Sequence, residues 1–185
     1  MPDDRVDDRG VVLGGRGRVR AGGATFEEVG QRRDVWARVP PHVVLAPPGA
    51  RYEVEATTDL HLAVAAAPAE AGRPVRLIQP DEVVREERGE GQAFRVVHHL
   101  PPPSADAARL IPVEVYTPGG SWSSFPPHKR DAEEPPEESY LEETYYHLID
   151  PPTGFCLQRV YSVDGTLDEA LAPRLSGPGR AGCAA

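Results

Sequence analysis

Short apolar runs broken by Gly and Pro recur along the whole chain. Nine segments carry the pattern: 10-GVVL-13, 42-HVVLA-46, 52-YEVEA-56, 60-LHLAVA-65, 75-VRLI-78, 94-FRVVHH-99, 111-IPVEVY-116, 143-ETYYHLI-149 and 154-GFCLQRVYSV-163. In 52-YEVEA-56, Tyr52, Val54 and Ala56 point one way while Glu53 and Glu55 point the other. A period of two marks a strand with one face buried. Turn chemistry separates the runs, as in 47-PPGAR, 118-PGGS and 151-PPTG. Only two stretches can be read as helical: 81-DEVVREER-88, enough for two turns, and 104-SADAARL-110, with Ser104 as an N-cap.

Composition points the same way. Pro (21) and Gly (18) make up about a fifth of the 185 residues, which excludes a helical bundle and favours short strands on tight loops. A hydrophobic content of 39% is enough for a core of moderate size. A formal charge of −9 argues against an electrostatic grip on nucleic acid or an anionic membrane. The longest nearly apolar stretch, 60–69, is far shorter than the roughly 20 residues a membrane helix needs. The first twelve residues, MPDDRVDDRGVV, hold no apolar signal core. Cys156 and Cys183 fit no metal or redox spacing and read as reduced thiols. The expectation is a soluble cytoplasmic protein.

The chain is expected to divide into a β segment over 1–80, an acidic connector over 81–91, a second β segment over 92–172 and a disordered tail over 173–185. The acidic stretch 131–139 reads as a solvated loop or as a lid on a nearby site. Asn is absent, and among 20 basic residues only Lys129 is a lysine, the mark of a GC-rich gene. The Gly-rich run 14–23 lacks a phosphate-loop pattern, and Ser123 and Ser124 have no accompanying His and Asp for nucleophilic work. Trp122 and Phe125 are expected in the core, and the adjacent His98 and His99 on opposite strand faces.

The region 117–165 carries the chemistry. In an extended chain, residues two apart share a face about 6.6–7 Å apart, so a His-x-His pair can converge on one metal. Here the triplet is His128-Lys129-Arg130, followed by Glu142 and Glu143 at the start of the next strand. Around it stand TPGG-x-WSS-F-PPHK, then LEE-x-YY, then P-x-x-GF-x-x-QRVY-x-x-D and LDE. This series closely resembles the IolB family, the 5-deoxy-glucuronate isomerases of the KduI/IolB bicupin group. The segments 42–56 and 94–118 fit the same family in order and spacing, so the likeness covers roughly residues 14–170.

The resemblance implies an all-β bicupin, two cupin-type β-barrels with a divalent metal (Mn, Fe or Zn) in the second. It also implies a sugar-acid substrate and an aldose–ketose isomerisation in inositol catabolism, from 5-deoxy-glucuronate to 5-dehydro-2-deoxygluconate. By the same likeness, His128 is the first metal-ligating His. Glu143 or Glu142 is the carboxylate ligand, and Glu143 is chosen because the family's ligating Glu directly precedes the aromatic strand, here with Tyr145 and Tyr146. Strand parity then puts Glu143, Tyr145 and His147 on one face and Glu142 on the other. His147 lies about 13 Å along the strand from Glu143, too far to serve as a substitute ligand, and reads as an inward His with its hydrogen bond satisfied. Arg95, Gln158, Arg159 and Tyr161 are candidates for the substrate.

Two departures from the family are plain. Arg130 stands where the family has its second His, and a guanidinium has no lone pair to offer a metal. The fourth ligand has no counterpart, and family members extend further at the N-terminus, so both barrel halves are expected to be incomplete. Arg130 is therefore expected to pair with a nearby carboxylate, Glu143 first, and leave a metal-free site with catalysis impaired; the other reading is that it points outward to solvent. The alternative is a non-catalytic cupin that binds a sugar acid, or a pseudogene-like fragment. No catalytic residue is assigned, and an oligomer is compatible with the exposed edges of open barrels.

Overall fold

The alternating runs become strands because Val, Leu and Ala on one face find a partner sheet, while charged residues on the other remain in solvent. In a computed structural model, residues 6–69, 74–102, 109–172 and 181–184 are described. The described chain is all-β, with three single-turn 3-10 helices and no α-helix. No helix among the described residues is long and apolar enough to cross a membrane. Two compact units divide the chain, residues 1–125 and 126–185.

The first unit holds three antiparallel sheets. One contains β1 (Val6–Gly14), β4 (Val43–Ala46), β6 (His61–Pro68) and β7 (Arg76–Ile78) in the order β6-β1-β4-β7. The second contains β2 (Gly17–Ala21), β3 (Ala24–Val29) and β5 (Tyr52–Ala56) in the order β3-β2-β5. The third is β10-β9-β8, from β8 (Val84–Arg88), β9 (Arg95–His99) and β10 (Val113–Tyr116). One core cluster draws on the first two sheets, joining Val12, Val44 and Ala46 to Val19, Ala21 and Val29, with Phe26, Tyr52, Leu60 and Leu62 packed against it. Each fully buried Val contributes about 1.5–3 kcal/mol, so this cluster is the main stabilising feature of the unit.

A close backbone approach fixes one corner. Gly15 has φ +85°, and a Cβ there would lie 1.9 Å from the Asp59 carbonyl oxygen. Gly30, at φ +107°, would place its Cβ 2.2 Å from the Gly15 carbonyl oxygen. Only glycine fits either position.

The second unit contains β11 (Thr144–His147) paired with β14 (Ala181–Ala184), and β12 (Gln158–Tyr161) paired with β13 (Asp168–Leu171). No residue of 126–172 is buried.

Several expectations need correction. The stretch 81–88 is not a helix, and 81–91 is not a bare connector. Pro80–Glu82 form a 3-10 turn, and β8 follows, paired with β9 along its whole length. Its charges are held by Arg85–Glu87 and Arg88–Glu86 pairs, and His99 reaches Glu86 at 2.8 Å, so a highly charged sequence still makes a strand once a partner edge is present. The compact units divide after Phe125 rather than in this acidic stretch. Trp122 and Phe125 are not core residues, being 56% and 59% exposed. Four residues of the supposed disordered tail form β14. The rest of that tail, 173–180 and 185, and residues 104–108 of the candidate helix at 104–110 lie outside the described residues.

Candidate active site

The second unit brings His128, Arg130, Glu143 and Tyr145 together. Residues 127–130 belong to no helix or strand, and the Leu141 N–H donates to the Arg130 carbonyl at 3.1 Å, which sets this segment beside the approach to β11. Side chains alternate along it. His128 Nε2 and Arg130 Nε both stand 3.5 Å from the same oxygen, Glu143 Oε1. Lys129, between them, reaches Glu138 at 2.9 Å instead. The pairing of Arg130 with Glu143 is the one expected from the sequence.

Parity in β11 follows the reading as well. Glu143, Tyr145 and His147 are half-buried, whereas Glu142, Thr144 and Tyr146 are exposed. The Tyr145 hydroxyl donates to Glu143 Oε2. His147 stacks on Tyr145 with ring centroids 5.9 Å apart, and its Nε2 lies 3.0 Å from Gln158 Oε1. Partial burial pushes the Glu143 carboxyl up, but the Tyr145 hydroxyl, His128 and Arg130 outweigh it and hold the group below its ordinary range. Burial, then the Glu143 carboxylate, push the Tyr145 phenol up. Glu143 is therefore ionised at neutral pH and Tyr145 remains a donor.

The divalent metal implied by the family does not fit this donor set. Glu143 and His128 are suitable ligands, but the third side chain at the same oxygen is a permanent cation. Among the described residues no three His, Cys, Asp or Glu side chains gather into a metal-holding group.

The substrate candidates scatter. Gln158 faces His147, while Arg159 and Tyr161 are exposed on the opposite face of β12. Arg159 gives Nε and Nη2 to the two oxygens of Asp168, both at 2.8 Å, and lies over the Tyr161 ring at 4.9 Å. Its fork is already engaged. Arg95 belongs to the first unit, where its Nη1 donates to the Ala93 carbonyl at 2.9 Å.

A second polar cluster, in the first unit, has no counterpart in the sequence reading. Arg32, with its side chain 1% exposed, forks onto Glu114 at 2.6 and 2.9 Å and donates to the Val39 carbonyl at 3.0 Å. His98 Nδ1 lies 3.2 Å from Glu114 Oε2, and the Tyr116 hydroxyl lies 2.9 Å from the same oxygen. His98 and His99 do face opposite ways, one to Glu114 and the other to Glu86. The only local signal for this cluster was the Glu114-x-Tyr116 alternation of β10, because Arg32 lies 82 residues from its partner.

Comparison with known proteins identifies the family. The chain is 48% identical over 161 residues to the 5-deoxy-glucuronate isomerase of Geobacillus thermodenitrificans (strain NG80-2), covering 87% of this chain and 59% of that protein. It is 43% identical over 149 residues to the 5-deoxy-glucuronate isomerase of Bacillus subtilis (strain 168), covering 80% of this chain and 55% of that one. The chain thus spans less than two thirds of the length of these curated relatives. The crystal structure of an IolB-like protein from Salmonella typhimurium LT2 superposes with a TM-score of 0.89 at 45% identity, over 94% of this chain and 66% of that chain. Residues 9–175 match the KduI/IolB family. With nearly the whole described chain matched in both sequence and fold, the protein is a member of the KduI/IolB family.

Proposed function

We propose that this chain derives from the 5-deoxy-glucuronate isomerases and recognises that sugar acid, with aldose–ketose isomerisation to 5-dehydro-2-deoxygluconate impaired by Arg130. The reading rests above all on the 48% identity to a relative of that name. It places the protein in inositol catabolism as an isomerase by descent, with its site in the second of two cupin-type halves.

Moving a proton between adjacent sugar carbons needs a base, and the charge that develops on oxygen needs an electrophile. In this reading Glu143 serves as the base, supported by its ionised carboxylate, to which the Tyr145 hydroxyl donates. A carboxylate held below its ordinary range is a weak base, which lowers the rate of proton removal. Arg130 is the nearest charge able to stabilise an oxyanion, but it is paired with the base itself. A guanidinium in place of a Lewis acid forgoes several kcal/mol of transition-state stabilisation, or about 100-fold or more in rate. The alternative, binding without any turnover, is the limit of the same argument.

Proton NMR of 5-deoxy-glucuronate with the chain and, in parallel, with the Geobacillus relative tests this. The expected result is saturation transfer to the sugar acid with turnover at least about 100-fold below the relative. Equal turnover refutes the impairment, and absence of both binding and turnover refutes the substrate.

A further inference from the structure

We infer that position 130 selects the cation of this site: the Arg130 guanidinium is the built-in counter-ion of Glu143 and keeps a divalent metal out of the same place. Three observations carry this. His128 and Arg130 both stand 3.5 Å from one oxygen, Glu143 Oε1, so a permanent cation already shares the carboxylate oxygen that the imidazole approaches. The other oxygen, Oε2, accepts from the Tyr145 hydroxyl, and His147 Nε2 is turned to Gln158 rather than to Glu143. Lys129 turns to Glu138, whereas the side chains on either side of it, His128 and Arg130, both go to Glu143.

A consequence follows from ligand chemistry alone. An imidazole at position 130 in place of the guanidinium would share a side with His128 and face Glu143. Two imidazoles and one carboxylate on one side of a cation form a set that holds divalent transition metals with open positions left over. Arg130→His thus converts an internal ion pair into a metal site of the Zn, Fe or Mn class. One base change separates His from Arg codons in a GC-rich gene. The inference concerns only the occupant of the site and does not depend on the identity of the substrate. A failure of 5-deoxy-glucuronate to bind would leave it untouched.

The test is metal stoichiometry, measured on the full chain after dialysis against Zn²⁺ and, separately, Mn²⁺, followed by desalting and elemental analysis. Wild type is expected to retain no stoichiometric metal, Arg130→His to retain one equivalent, and Arg130→His/Glu143→Gln to lose it. One equivalent on wild type that Glu143→Gln abolishes overturns the inference. So does a folded Arg130→His chain, by far-UV circular dichroism, that takes up no metal. The wild-type arm stands even if the variant fails to fold.

Discussion

His42 shows what a single ring needs in order to be buried. Its Nδ1 accepts from the Gly30 N–H at 3.1 Å, and its Nε2, 3.0 Å from Gln79 Oε1, donates. Both demands are met only by the neutral ring protonated at Nε2, because a second proton would remove the acceptor that Gly30 uses. Burial pushes the His42 pKa below its ordinary 6.5, with the Gln79 contact opposing in part. The sign follows: a ring that resists protonation when folded gives its full stability above the unfolded value. That stability is lost as pH falls through the lower folded one. Urea midpoints are expected to decline below about pH 6.5, with a shallower decline in His42→Asn, whose side chain does not titrate in this range. An unchanged slope in the variant would mean that His42 is not the titrating group. The sequence gives no hint of this pair of bonds. A lone His before an apolar run looks the same whether its partners are 12 and 37 residues away or absent.

At the scale of elements, the strands were legible wherever bulky apolar residues alternate or cluster, as in β4, β5, β9 and β11. They were missed where the inward positions are small or the run is charged. In β2 the inward residues are Gly17, Val19 and Ala21, too slight to stand out between arginines, yet Arg18 finds Glu27 and Glu55 across both neighbouring strands. In β8 the pairing edge of β9, not local propensity, decides. The Arg32–Glu114 pair ties the loop after β3 to β10, and the Tyr116 hydroxyl adds a bond to the Val35 carbonyl in the 3-10 turn Val35–Ala37, at 3.0 Å. Removing one partner of a buried pair strands the other, at about 3–5 kcal/mol. Arg32→Met is expected to lower the urea-unfolding free energy by about that amount. Replacing Glu114 by Gln in the same chain should then cost less than it does alone, since the carboxylate it removes no longer has its cation. Strictly additive losses would show that the two do not act as a pair.

For the whole molecule, core and candidate chemistry are separated. Every residue of the core cluster lies in the first unit, whereas Glu143, His128 and Arg130 belong to a second unit with no buried residue among 126–172. The Arg130–Glu143 contact joins side chains 46% and 32% exposed, so it contributes at most about 1 kcal/mol to stability. What it governs is which cation sits at Glu143. The approach of Arg130 to Glu143 could be read from His128-Lys129-Arg130 and the glutamates before Tyr145, because the alternation of side chains is local. The turning of Arg159 and Tyr161 to the face of β12 opposite Gln158, with Arg159 engaged by Asp168, could not, since it depends on which face the strand presents once paired. The most direct measurement is zinc-edge anomalous diffraction from crystals of the unaltered chain grown with excess Zn²⁺. The expected map has Arg130 within ion-pair distance of Glu143 and no anomalous peak between His128 and Glu143. A peak bonded to both side chains, with Arg130 displaced, would contradict the account.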